Sequence, residues 1–176
     1  MPRLRRFTED EYCYFVTAGT QDRRPLFRDT RLCQILVKNL QFYRDRMKFA
    51  LHGYVVMPDH IHLLVTPRQP ATVSDIMRNL KSYTSREIRE ALGIRGPIWQ
   101  RRFYDRVIRG GEQFRTALDY IHLNPVRAGL VQSATDYESS SYRFWEEGNG
   151  LLRLDPTEEV TAGAVTYEKK VRLANG

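Results

Sequence analysis

The chain has 176 residues, 41% of them apolar, with ten tyrosines, which fits one folded domain with a sizeable core and excludes a disordered polypeptide. Lys and Arg number 28 against 21 Asp and Glu, a net charge of +7 that directs attention to a polyanionic partner, nucleic acid first and an anionic membrane surface second. The two cysteines, Cys13 and Cys33, lack C-x-x-C spacing and cannot build a disulfide scaffold or a thiolate zinc site, and no apolar run approaches the length of a membrane span. A reduced, cytoplasmic, nucleoid-associated setting without a membrane partner is expected.

In chain order, residues 12–20 are aromatic and β-branched and read as a strand. From Asp29 to about Lys48, Leu32, Ile35, Leu36, Leu40, Tyr43 and Met47 recur at helical spacing, with Asp29 or Thr30 as the cap. Residues 49–57 form a second strand, and Pro58-Asp59 turns it into a third, so the two make a hairpin. Along that third strand His60 and His62 share one face while Ile61, Leu63 and Val65 take the other. One face backs onto a core; the other offers two imidazoles suited to a metal ion or simply to solvent.

Thr72 with Asp75 three residues on announces a second helix, whose stripe is Val73, Ile76, Leu80, Ile88 and Ala91 and which stops at Gly93. Its opposite side carries Arg78, Lys81 and Arg89 and fits either solvent or a phosphate backbone. Residues 98–104 mix Trp99, Phe103 and Tyr104 with Arg101 and Arg102. Such a mixture suits stacking on unpaired bases, although Trp99 and Phe103 suit a core equally well. A fourth strand spans Asp105 to Arg109, and a third helix follows from Glu112 to about Leu123 with Phe114, Ala117, Leu118 and Ile121 buried. Tyr120 and Asn124, four apart, share one flank of it; Asn124 precedes Pro125 and also reads as the cap of a short helix from Pro125 to Gly129.

Strand, helix, strand, strand, helix, strand is the order of the ferredoxin-like split βαβ motif, an α+β fold. Right-handed crossovers place both crossover helices on one face of its antiparallel sheet, which leaves the other face for the helix carrying Tyr120. The domain is expected to occupy residues 1–147, and 148–176 reads as a loosely ordered tail.

Three blocks, Val56 to Leu64, Ile98 to Arg106 and Tyr120 to Val131, together resemble the HUH single-tyrosine transposases of bacterial insertion sequences, most of all their REP-associated branch. The resemblance covers about residues 10–145. It implies a metal-dependent endonuclease and strand transferase acting on single-stranded DNA at or beside hairpins. By the same resemblance Tyr120 is the nucleophile, His60 and His62 are metal ligands, and Asn124 stands where the family places a polar third ligand, often Gln. The implied metal is magnesium or manganese, and the family includes both monomers and homodimers. DNA contacts are expected from the basic N-terminus, Arg3, Arg5 and Arg6, from Arg78, Lys81 and Arg89, and from Arg101 with Arg102. Two other classes compete: a catalytically silent nucleic-acid-binding module of the same fold, and a zinc hydrolase with His52 on the adjacent strand as the further ligand. The hydrolase lacks a carboxylate, because Asp59 is expected to point away from the pair.

Overall fold

A computed structural model describes residues 12–148, 150–152 and 154–155; the expected contacts from Arg3, Arg5 and Arg6 lie outside them. The regular elements are β1 (Cys13–Gly19), α1 (Thr30–Met47), β2 (Ala50–Met57), β3 (His60–Thr66), α2 (Val73–Leu92), β4 (Tyr104–Ile108), α3 (Gly111–Arg127) and α4 (Tyr142–Glu147). The four strands lie in the order β2-β3-β1-β4 with every neighbour antiparallel, which is the expected split βαβ sheet.

Local chemistry sets the helix limits. The Asp29 side chain accepts the Arg31 N–H at the start of α1. At α2, Thr72 and Asp75 form a reciprocal capping box, and Gly93 closes the helix at φ 63°, a left-handed value that costs glycine little. The first face of the sheet buries Val16, Ala18, Ile61, Leu63 and Val65 against Leu36 and Leu40 of α1 and Ile76 and Leu80 of α2. Burying a side chain the size of Val, Leu or Ile stabilises the fold by about 2 kcal/mol. Of the expected α2 stripe, Ala91 alone is exposed, whereas Met77 and Thr84 are buried.

The second face belongs to α3. Phe114, Ala117, Leu118 and Ile121 pack on Phe15, Val55, Met57, Leu64 and Ile108. A β-bulge between Leu51 and Gly53 shifts the β2 alternation, so that Leu51, Tyr54 and Val56 all reach the first core. Gly53 also lets α3 approach: a Cβ there would lie 2.7 Å from Leu118 Cδ1.

Two expectations change. The third helix does not stop near Leu123, and no separate helix starts at Pro125; α3 continues through Pro125 to Arg127. Proline removes a single amide donor close to the helix end. The end itself is secured by a Schellman arrangement in which the Leu130 N–H donates to Pro125 O, the Gly129 N–H donates to Val126 O, and Gly129 takes φ 68°. Asn124 therefore stays in helical register with Tyr120. Secondly, the packed chain passes the boundary expected at residue 147. Leu152 and Leu154 are buried in the first core, and the Asp155 carboxylate pairs with Arg44 at 2.7 Å. Backbone bonds from Ser139, Ser141 and Asp155 cover the outer edge of β2, which explains why every residue of that strand is buried.

Candidate active site

The open half of the second face holds the site. Antiparallel register sets Thr17 of β1 opposite His62 and Gly19 opposite His60, and on the other side of β1 sets Tyr104 beside Thr17 and Arg106 beside Phe15. Alternation along three strands thus brings these side chains to one surface, and α3 lays Tyr120 and Asn124 over it. His60, His62, Tyr120 and Asn124 line one cleft of about 460 Å³, together with Phe15, Thr17, Arg23, Tyr104 and Arg106. The four candidate residues, scattered over 65 positions of sequence, are brought together.

The ring centroids of His60 and His62 are 4.7 Å apart, and that of Tyr120 is 5.3 Å from His62. Phe15 stacks on His62 at 5.1 Å and meets Tyr120 edge-on at 5.8 Å, so it forms the floor between imidazole and phenol. The Tyr120 side chain is partly exposed at 41%, open to a substrate from solvent.

His62 is 4% exposed; its Nδ1 pairs with Thr17 Oγ1 at 2.8 Å, and its Nε2 is buried with no hydrogen-bond partner. Burial foremost, then the charges of His60 and Arg23, pushes its pKa down to about 3, so the ring is a neutral lone-pair donor. His60 Nδ1 pairs with Asp59 Oδ1 at 2.6 Å. Both Nδ1 atoms are therefore engaged, the arrangement commonly seen when Nε2 serves a metal. Among the described residues no group of three His, Cys, Asp or Glu side chains could hold a metal ion, so any third protein donor must be of another kind; the Asn124 amide in the same cleft qualifies. The residues present fit a divalent ion.

Asp59 corrects the sequence reading. It does not point away from the pair but bonds His60 and also meets Arg23 Nε at 3.3 Å, because it sits in the turn, where strand alternation does not apply. His52 does not face the pair either. Its Nδ1 bonds the Asp155 carbonyl and its Nε2 bonds Thr66 Oγ1 at 2.9 Å, at the end of the hairpin remote from His60. The ligand set required by a zinc hydrolase is not assembled there.

The basic residues stand in different surroundings. Arg78 pairs with Asp75 at 2.6 Å, Arg89 reaches Gly96 O at 3.4 Å, and Lys81 Nζ donates to the carbonyls of Gln100 and Arg101 at 2.7 and 3.0 Å. All three sit on α2, in the layer behind the sheet, and burial lowers the Lys81 pKa. Arg101 and Arg102 are exposed on the segment leading into β4. The cations lining the cleft are Arg23 and Arg106, whose Cζ lies 5.2 Å from the Phe15 ring centre; Arg127 stands next to it, its Cζ 5.8 Å from the ring centre of Tyr120. Arg106 was legible from alternation with Tyr104, and Arg127 from its seven-residue spacing to Tyr120 once the helix is continued; Arg23 lies in an aperiodic loop. Trp99 is a core residue, packed on Phe27 with its Nε1–H donated to Thr84 Oγ1 at 3.0 Å, and Phe103 is half-buried against the same core. Of the aromatics in residues 98–104, Tyr104 is the exposed one, at 65%.

The remaining histidine is structural. His122 on α3 is fully buried, its Nε2 is 2.8 Å from Ser141 Oγ, and burial pushes its pKa down to about 3. An unfolded histidine titrates near 6.5, so the unfolded chain takes up protons that folded His62 and His122 refuse. Stability is fully present above pH 6.5 and is lost as pH falls toward 3. Each of the two contributes a slope of about 1.4 kcal/mol per pH unit in that window. Urea unfolding between pH 7.5 and 4.5 measures this; a flat profile would show that the rings are protonated without opening the fold.

The family model described as "Transposase IS200 like" matches residues 10–124. The chain is 29% identical over 162 residues to the REP-associated tyrosine transposase of Escherichia coli K12, covering 92% of this chain and 94% of that one. It is also 29% identical over 147 residues to a putative REP-associated tyrosine transposase of Haemophilus influenzae, covering 73% and 78%. Among solved structures, a REP-associated tyrosine transposase bound to a REP hairpin superposes with a TM-score of 0.68 at 28% identity, covering 91% of this chain and 93% of that one. A putative transposase from Deinococcus radiodurans shares the fold at TM-score 0.50 and 19% identity, covering 66% and 92%. With its sheet, its histidine strand and its tyrosine helix in this arrangement, the chain belongs to the IS200-like transposase family.

Proposed function

We propose that the protein is a metal-dependent single-stranded DNA endonuclease and strand transferase that acts beside DNA hairpins through a covalent 5′-phosphotyrosine on Tyr120. The observation that carries this reading is the convergence of Tyr120, His60, His62 and Asn124 on one cleft edged by arginines. His60 and His62 through Nε2, with the Asn124 amide oxygen, are the residues that would hold a divalent ion, manganese or magnesium. Two nitrogen donors suit manganese better by ligand type. A divalent ion held there would supply Lewis-acid polarisation of the scissile phosphate.

The protein's own groups do the rest. Tyr120 stands on a rigid helix, its ring held by Phe15 and His62, so its oxygen is presented for in-line attack at small entropic cost. The Tyr120 oxygen forms a bond to phosphorus as the bond to the bridging 3′-oxygen breaks; the tyrosine proton is lost to a base, and the leaving oxygen takes up a proton to become a free 3′-hydroxyl. The phosphotyrosine retains the energy of the broken ester, so a 3′-hydroxyl can later reverse the attack and join strands without ATP. Tyr104, exposed on β4 at the cleft, and Arg101 with Arg102 just before it, suit an unpaired strand entering along that edge.

A solved relative was captured on a REP hairpin, which supports hairpin DNA as the substrate class. The test is incubation with labelled hairpins bearing single-stranded flanks and Mn²⁺, followed by denaturing electrophoresis. A denaturation-resistant protein–DNA adduct is expected. Binding with no adduct on any flanked hairpin would favour the silent binding module.

A further inference from the structure

Asp59 is the place where two separate parts of the cleft meet. One carboxylate oxygen, Oδ1, lies 2.6 Å from His60 Nδ1, and the other, Oδ2, lies 3.3 Å from Arg23 Nε. The backbone that carries this carboxylate is itself held in place. The Thr20 N–H donates to the Asp59 carbonyl at 2.9 Å, the Thr20 hydroxyl lies 2.7 Å from Arg24 O and 3.0 Å from that same Asp59 carbonyl, and Thr20 is fully buried. Arg23 arrives by a strained path: Asp22 and Arg23 take φ 55° and 54°, left-handed values that non-glycine residues seldom adopt and that persist only where the surroundings enforce them. Gly19 leaves space for it, since a Cβ there would come within 3.2 Å of the Arg23 guanidinium. The Arg23 side chain remains 55% exposed, with donors available to a ligand in the cleft.

We propose that Asp59 is a positioning residue that joins the metal-ligand histidine to a phosphate-binding arginine: Oδ1 holds His60 in its Nδ1–H tautomer, with Nε2 free to ligate, while Oδ2 holds Arg23 over the cleft to receive the scissile phosphate. This rests on the metal-and-tyrosine reading above. A carboxylate on the far nitrogen of a ligating histidine fixes the ring and raises its basicity, and removing such a partner costs metal affinity by 10- to 100-fold in general. A guanidinium aimed at a phosphoryl group favours the charge that develops in the transition state.

The first measurement needs neither metal nor DNA. In ¹⁵N-resolved imidazole spectra of the full chain at pH 8.5, His60 is expected as the Nδ1–H tautomer. Asp59→Ala releases it to the Nε2–H form favoured by free imidazole while the His62 pattern stays unchanged, and Mn²⁺ affinity falls by about 10- to 100-fold. Arg23→Ala keeps the tautomer and the Mn²⁺ affinity but slows single-turnover adduct formation by about 10²-fold. Asp59→Asn carries one oxygen where two are needed, so it loses either the tautomer or the fast adduct step. Wild-type tautomer and Mn²⁺ affinity in Asp59→Ala, a wild-type adduct rate in Arg23→Ala, or retention of both properties in Asp59→Asn would overturn the proposal. If the wild-type chain formed no adduct, the nucleophile assignment would fail while the tautomer measurement still decided the role of Asp59 at His60.

Discussion

Tyr120→Phe is expected to abolish the covalent protein–DNA adduct, with cleavage reduced on the order of 10³-fold or more, as befits removal of a nucleophile. The substitution deletes one oxygen and keeps the ring, so the edge-on contacts with Phe15 and His62 and the Arg127 contact persist. Tyr120 is on the exposed side of α3, away from Ile121 and Leu118 in the core, so folding stability should change by less than about 0.5 kcal/mol. Hairpin affinity should stay within a few-fold of wild type. Quantifying adduct and free product in a single turnover checks all of this. Cleavage at the wild-type rate would reassign the nucleophile, and undiminished cleavage without an adduct would point to a water-dependent hydrolase instead.

The sheet and its helices could be read from the residues because each rests on local signals that agree with the tertiary outcome. The period-two pattern of Ile61, Leu63 and Val65 and the capping box at Thr72 name both the element and its buried face. The same alternation put His60 and His62 together, and helical spacing put Tyr120 with Asn124. What escaped was governed by contacts between distant segments. Asp59 and Arg23 lie in turns, where no period says which way a side chain points, and they meet only because Thr20 pins the β1 exit to the β2–β3 turn. Leu152, Leu154 and Asp155 belong to the domain because the β2 edge needs cover, a demand visible only once the strand order is known.

Charge on a helical wheel does not say what a side chain meets within the fold. Arg78, Lys81 and Arg89 form a clean basic stripe on a helical wheel, yet one is paired with a carboxylate and the other two bond carbonyls of the following segment. Lys81 in particular ties α2 to the backbone of Gln100 and Arg101, immediately before β4, and so helps to place the strand that carries Tyr104 and Arg106. A wheel reports which face a charge occupies, and the tertiary fold decides what stands opposite that face.

The four histidines offer a further separation, by far the sharpest between site and scaffold. His62→Ala is expected to remove Mn²⁺ binding and to slow metal-dependent adduct formation by at least about 10²-fold, since it deletes one of only two imidazoles in the cleft. Its stability cost should be small. The wild-type ring already carries a buried Nε2 with no partner, a penalty that disappears with the ring and offsets the lost packing on Phe15 and the lost bond to Thr17. His122→Ala should do the reverse. It empties a fully buried position on α3 and takes a partner from Ser141, whose hydroxyl also contacts the backbone of Tyr54 at the β2 edge. A loss of about 2–4 kcal/mol follows from the cavity and the broken bond together. Urea unfolding and single-turnover adduct assays on both variants, at a temperature where each is folded, read the two effects apart. Metal-dependent adduct formation at the wild-type rate in His62→Ala would remove His62 from the reaction and, with it, the reading of the pair as metal ligands.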